Sequence, residues 1–359
     1  MNDAVEPILD GVRGHEFHPL DDRAFTIDRR HQTVGIADLD DRDWLVRTRA
    51  VRDLVRVGAD HPSVVRSALE DEDRHVRSVA AHALGVLGDA GAVIDLERVA
   101  RSDPEAVVRA RAVVAIGQLA RPGSASTLEE IADADASRDV RHQAQLAAHR
   151  VDTDQPSTET LLAAWRDLEP LPERPAAGDR APGFTLPDAT GTEQSLADLR
   201  GDGWAALIWI FADWCPVCHG EFAELLEHEA AFADAGVSVA TIECHDAYRC
   251  RAMVGAEAQP EYWFDATPRD PAAIWWTHLV DRAGAVGTRY GVDPHAFAVH
   301  AEYVNRPATV IVDPDGVIRY RYVGTYWGDR PSISETLSMI ERETFDFVHP
   351  DRLGSEEGS

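Results

Sequence analysis

The 359-residue chain carries 63 acidic against 35 basic side chains, a formal charge of −28, and every base is arginine. So negative a field excludes a phosphate-binding surface, which needs clustered cations, and a hydrophobic fraction of 44% excludes a disordered chain. Four cysteines in this length are too few for a disulfide framework and read as thiols with a task.

Residues 1–6 lack a basic segment followed by an apolar stretch, and no run reaches the roughly 20 apolar residues of a membrane helix. A cytoplasmic location is therefore expected. The acidic, lysine-free composition is similar to that of cytosolic proteins from salt-accumulating halophiles. Residues 1–39 show no repeat and are expected to form a cap or ordered arm.

From residue 40 the chain repeats itself. Val46-Arg47, Val76-Arg77, Val108-Arg109 and Val140-Arg141 recur about every 30–32 residues. Each valine is followed four positions on by Ala50, Ala80, Ala112 or Ala144, and eight positions on by Leu54, Leu84, Ile116 or Ala148. Those offsets define one helical stripe, with alanine where two helices approach closely. Loop signals such as Asp71-Glu72-Asp73 and Arg121-Pro122-Gly123 separate the stripes. The pattern resembles short HEAT-like repeats, four units over residues 40–151, and implies a stacked α-solenoid.

Residues 152–177 hold Pro170, Pro172 and Pro175 and suit a semi-rigid linker. Beyond it the pattern changes to strands alternating with helices. Trp204–Phe211 and Val237–Glu243 are apolar runs flanking a helix over Pro216–Phe232, which implies a parallel pair with a crossover. Ala308–Val312 and Val317–Val323 flank Asp313-Pro314-Asp315-Gly316, a hairpin signal. A last helix is expected over Ser332–Glu343, before an acidic tail at 346–359.

The chemistry concentrates at Trp214-Cys215-Pro216-Val217-Cys218-His219. Two cysteines three apart at a strand-to-helix junction share one helix face and can close a small disulfide ring. The helix N-terminus favours thiolate over thiol there. The set Gly178-Asp-Arg-Ala-Pro-Gly-Phe-Thr-Leu, Ser195-Leu-Ala-Asp-Leu-Arg-Gly, this dithiol and Arg306-Pro307-Ala308-Thr309-Val310 resembles the redoxin branch of the thioredoxin-like superfamily, the alkyl hydroperoxide reductase/thiol-specific antioxidant group. The resemblance runs from Gly178 to Glu343, in a domain expected over residues 178–345.

That resemblance implies a thioredoxin-like α/β sandwich with Cys215 as nucleophile, Cys218 as resolving thiol and a cis-Pro307 facing them, so that Arg306 borders the substrate. Trp214 would shape the rim and Pro216 tune the potential. Glu221, one turn past Cys218, is either a proton relay or a solvated helix residue. His219 either stabilises a thiolate or is exposed in the first turn.

Two patterns depart from close relatives. Peroxiredoxins carry Pro-x-x-x-Thr-x-x-Cys, whereas counting back from Cys215 gives Ala212 and Ile208, and counting back from Cys218 gives Cys215 and Phe211. Cys215-x-x-Cys218-His219 also fits haem attachment, but that motif needs an export route and usually a distal ligand. No cofactor is expected.

Cys244 ends the strand parallel to the one before Cys215, so both should emerge at one sheet edge. Cys244 and Cys250 form a second dithiol, join His245 in a metal site, or are simply buried thiols. Trp263, Phe264, Trp275, Trp276 and His278 line a groove or, more in keeping with such residues, pack in the core.

The fold expected is therefore an α-solenoid followed by an α/β sandwich. The function expected is thiol–disulfide oxidoreduction with a protein disulfide or a small thiol as partner, the repeats binding protein, and neither nucleic acid nor membrane involved. A thiol-dependent peroxidase and a non-enzymatic redox-responsive adaptor are the alternatives.

Overall fold

The computed structural model describes residues 7–8, 53–119, 121–152, 174–245, 247–258, 266–292, 298–299, 302–324 and 328–348. They divide into two compact units, and the short antiparallel pair Ala298–Val299 and Glu302–Tyr303 groups with the first.

The first unit is helical: α1 Pro62–Ser67, α2 Arg74–Leu87, α3 Val93–Ser102, α4 Ala106–Leu119, α5 Ala125–Ala134 and α6 Arg138–Asp152. The repeat stripe is its core. Val76, Ala80 and Leu84 of α2, Val108, Ala112 and Ile116 of α4, and Val140 and Ala144 of α6 are fully buried where α2 stacks on α4 and α4 on α6. The first repeat's Val46, Arg47 and Ala50 lie outside the described residues.

The repeated arginine sets the spacing between units. Arg77 Nε and Nη2 donate to Asp103 at 2.7 and 3.1 Å, and Arg109 donates to Asp135 at 2.8 Å through each nitrogen. The same carboxylates accept the backbone N–H groups of Glu105 (2.9 Å) and Ser137 (2.7 Å). The remaining nitrogen Nη1 turns back to its own loop, to Asp71 O from Arg77 and to Asp103 O from Arg109. Each arginine thus bridges two successive loops with a planar fork that lysine could not supply.

The second unit is a five-stranded sheet in the order β5-β4-β3-β6-β7, from β3 Trp204–Trp209, β4 Val237–Glu243, β5 Thr277–Val280, β6 Ala308–Val312 and β7 Ile318–Val323. A small hairpin, β1 Thr185–Pro187 with β2 Glu193–Ser195, and the short helix α7 Leu196–Arg200 precede it. Strands β3, β4 and β5 are parallel, with Trp204 opposite Val237 and Thr241 opposite His278, while β6 pairs antiparallel with β3 and β7 antiparallel with β6. Strand β3 is central and covered on both faces, which is why its sequence is apolar without alternation.

The expected hairpin turn is present. Gly316 sits at φ 79°, where glycine has no Cβ penalty, and Asp313 Oδ1 accepts from Asp315 N and Val317 N. The helix expected over Pro216–Phe232 is two, α8 Pro216–Glu227 and α9 Glu229–Asp234, broken at His228, whose φ −112° and ψ 10° are not helical. Helix α10 Ala247–Met253, the short α11 Ala285–Arg289 and the final α12 Ile333–Arg342 complete the unit. Helix α12 starts on a capping box between Ser332 and Glu335. Among the described residues no helix is long and apolar enough to cross a membrane.

Candidate active site

The loop from β3 to α8 delivers the dithiol. Cys215 is the N-cap of α8 and Pro216 its first residue, where a missing N–H costs nothing. Cys215 is 1% exposed and Cys218 fully buried, with exposed Pro216 and half-buried Val217 at the surface. Cys218 Sγ accepts from Phe211 N at 3.3 Å and from Arg330 Nη2 at 3.2 Å.

Arg330 itself is buried. Its Nη1 donates to Trp209 O at 3.2 Å, and its Nε lies 2.5 Å from Glu221 Oε1. Arg330 enters just before the capping box of α12, and Glu221 lies one turn along α8 from Cys218. A groove of about 490 Å³ between α8 and the start of α12, lined by Val217, Gly220, Glu221, Arg330, Pro331 and Phe347, borders this pair.

The electrostatics follow from those contacts. Burial would raise the Cys218 thiol, but the Cys215 hydrogen bond and the Arg330 guanidinium lower it to about 5. Burial, reinforced by the charge on Cys218, pushes the Cys215 thiol well up. The surroundings therefore favour thiolate at Cys218 and thiol at Cys215, the two sulfurs being hydrogen-bonded to each other. Burial pushes the Glu221 carboxyl up to about 8; Arg330 opposes this, and the Cys218 thiolate adds to it. Glu221 is thus a buried carboxyl beside Arg330 rather than a solvated helix residue.

The surrounding residues correct several expectations. The Arg306–Pro307 bond is trans, as are all peptide bonds among the described residues. The strand entry is held extended by Gly324 N donating to Pro307 O at 2.7 Å and Arg306 Nε donating to Gly324 O at 3.0 Å. Arg306 is therefore a buried strand clasp, not an exposed border of the substrate. Trp214 is 1% exposed and packs edge-on to Phe211 at 5.7 Å, so it supports the loop from below instead of forming a rim. His219 is buried, not exposed; its Nε2 lies 2.6 Å from Asp213 O, and burial, then Arg269, lowers its imidazole.

Three anchors were not singled out from sequence. Asn305 Nδ2 donates to Ile210 O and Ile242 O, tying together the ends of β3 and β4. Asp213, next to the dithiol, is paired in the interior with Arg249 of α10, Nε to Oδ1 at 2.8 Å. Arg330 is the third. Its only sequence signal is an arginine-proline just ahead of a helix cap.

Cys244 and Cys250 are buried, and neither is in a disulfide. As expected, the parallel register places the ends of β3 and β4 at one edge. Cys250 Sγ faces Leu279 O at 3.6 Å, and burial, then Glu243, raises its thiol. Trp276 and His278 pack edge-on to Phe222 of α8, and Trp275 Nε1 donates to Leu225 O at 2.9 Å, so these aromatics are core packing. Trp263 and Phe264 lie outside the described residues.

A parallel-antiparallel sheet with a Cys-x-x-Cys at the strand-to-helix junction defines a thioredoxin-like redoxin unit. The chain belongs to the AhpC/TSA family, whose model matches residues 177–321, and residues 36–117 match HEAT repeats. It is 28% identical to the thiol:disulfide interchange protein DsbE of Allochromatium vinosum over 161 residues, 43% of this chain and 68% of that one. It is 31% identical over 144 residues, 39% of this chain and 80% of that one, to a Mycobacterium tuberculosis protein whose name provisionally assigns it to the peroxiredoxins. Among solved structures, the reduced 2-Cys peroxiredoxin of Plasmodium vivax is similar at 20% identity and a TM-score of 0.37, covering 46% of this chain and 80% of that one. These relatives support a thiol oxidoreductase-type enzyme.

Proposed function

We propose that the α/β unit catalyses thiol–disulfide exchange through Cys215 and Cys218. The observation that carries this reading is the buried Arg330 guanidinium 3.2 Å from Cys218 Sγ, with Glu221 on its other flank. Nothing in a purely structural thiol pair calls for a cation held against one sulfur and a carboxyl poised at about 8 beside it.

The proposed cycle begins when the shared proton moves from Cys215 to Cys218. The Cys215 thiolate attacks one sulfur of a partner disulfide, forming a mixed disulfide and releasing the partner's other sulfur as thiolate. Cys218, passing its proton through the Glu221 carboxyl to the departing partner thiolate, attacks Cys215 Sγ, closes the Cys215–Cys218 disulfide and releases the second partner sulfur. Two electrons pass to the partner, and an external thiol restores the dithiol. Cys215 takes the outer role because it caps the helix beneath exposed Pro216, whereas Cys218 lies one turn inside. The HEAT-like repeats are proposed to hold a protein partner near the dithiol by raising its effective concentration.

Turnover of a disulfide substrate by wild type and by Cys215→Ser tests this. At least a hundredfold loss in the variant is expected, and equal rates refute the proposal. Relatives named as peroxiredoxins favour a second reading, a thiol-dependent peroxidase, although Ala212 and Ile208 stand where that group's threonine and proline would be. Hydroperoxide consumed with a thiol reductant, in the absence of disulfide turnover, would select it.

A further inference from the structure

Behind the dithiol a second cluster of chemistry-bearing side chains is closed off from solvent. Glu243 ends β4, and His278 on β5 stands opposite Thr241, two residues earlier on β4, so all three share one face of the sheet. Cys250 of α10 packs onto that face. Glu243, Cys250 and His278 are at most 3% exposed, and each offers a ligand atom within 4.8 Å of the other two.

Two of these atoms face each other at long range. Glu243 Oε2 and His278 Nε2 stand 3.4 Å apart, and neither has a hydrogen bond of good geometry. Buried polar atoms in that state are costly and uncommon. The spacing is informative, because metal–ligand bonds of 2.0–2.3 Å in a tetrahedron place ligand atoms about 3.3–3.8 Å from one another.

The outer atoms of the same groups are occupied in the manner of a second shell. Glu243 Oε1 is held by His245 Nδ1 at 2.7 Å, which leaves Oε2 to face the cluster. His278 Nδ1 is held by Thr241 Oγ1 at 2.8 Å, and Trp276 Nε1 fixes that hydroxyl at 3.1 Å. Such contacts orient ligating imidazoles and carboxylates. Asp213, also close to Glu243, is taken by Arg249.

We propose that Glu243, Cys250 and His278 bind one divalent transition-metal ion of the zinc type. A thiolate, an imidazole and a carboxylate are its preferred donors, and two anionic ligands with one neutral ligand balance a dication in a buried site. On binding, the Cys250 thiol releases its proton to solvent and no electrons move. The ion fastens α10 to β4 and β5. Because Arg249 on the same helix holds Asp213 beside the dithiol, it also steadies the active-site loop.

The test is titration of reduced, chelator-treated protein with Co²⁺, followed by the thiolate-to-cobalt charge-transfer band, with Zn²⁺ competition and native mass spectrometry for stoichiometry. One equivalent is expected, with the band retained in Cys215→Ser/Cys218→Ser and absent in Cys250→Ser. A folded wild type that takes up no stoichiometric metal overturns the proposal, as does a band that persists in Cys250→Ser or vanishes with the active-site pair. Should Cys250→Ser fail to fold, His278→Gln serves in its place. Its affinity is expected to fall at least tenfold, and an unchanged affinity overturns the proposal.

Discussion

Replacing Arg330 by methionine removes the cation from Cys218 while keeping much of the side chain's volume. Two unit charges 3.2 Å apart attract by about 5 kcal/mol at an effective dielectric of 20, which is a ceiling. The guanidinium charge is spread over three nitrogens and shared with Glu221, so the net worth of one charge-assisted hydrogen bond, about 1.5–3 kcal/mol, is the better guide. At about 1.4 kcal/mol per pH unit this moves the Cys218 titration up by about one to two units, from about 5 to about 6–7. Thiolate ultraviolet absorbance and iodoacetamide alkylation rate, each followed against pH in the reduced protein, read the midpoint directly. Circular dichroism checks that the variant is folded. A midpoint in folded Arg330→Met that stays put or falls would refute the assignment of the thiolate to Arg330.

The remaining predictions concern stability. Glu221 is raised from 4.5 to about 8, so its contribution is complete below pH 4.5 and is lost as pH rises through about 8, at up to about 1.4 kcal/mol per pH unit. Cys218, lowered from 9.0 to about 5, acts oppositely: its contribution is complete above pH 9 and is lost as pH falls through about 5. The slopes offset each other between pH 5 and 8 in the reduced protein. Oxidation should therefore uncover a fall in urea midpoint from pH 5 to 8, which Glu221→Gln flattens; an equal slope in that variant would assign the effect elsewhere. Arg109→Met leaves the Asp135 carboxylate without its fork and should cost about 2–3 kcal/mol in denaturant unfolding; a loss under 0.5 kcal/mol would mean the inter-loop bridges contribute little. Gly85→Ala would ordinarily stabilise a helix by about 1 kcal/mol, but its Cβ would lie 3.0 Å from Ala115 Cα, so net destabilisation is expected and a raised melting temperature would contradict it.

The solenoid was legible because alanine and valine at helical spacing report directly on which face is buried, and Val76, Ala80 and Leu84 are indeed sealed. The arginine beside each valine was visible as a repeat, yet its partner was not, since Asp103 and Asp135 lie 26 residues further on and only the stacking brings them near. Strand β4 was read residue for residue, because a β-branched run bounded by polar ends has few other homes.

At the site, local chemistry was legible and long-range chemistry was not. Cys215 and Cys218 announce themselves by spacing, but Arg330 reaches Cys218 from 112 positions away and Arg249 reaches Asp213 from 36. Proline at 307 marked the strand entry correctly, while no local pattern fixed the isomer of its peptide bond, which is trans. Glu221 carries no local signal of burial, because the contact that encloses it comes from Arg330, far along the chain.

The central claim is that Cys215 and Cys218 are the redox pair. Thiol trapping of oxidised and reduced protein, with peptide mass spectrometry on all four cysteines, tests it most directly. Oxidation should yield one disulfide per chain, joining Cys215 to Cys218, with Cys244 and Cys250 both alkylated after denaturation. A bridge to Cys244 or Cys250, or four free thiols in protein that has turned over a disulfide, would contradict the account.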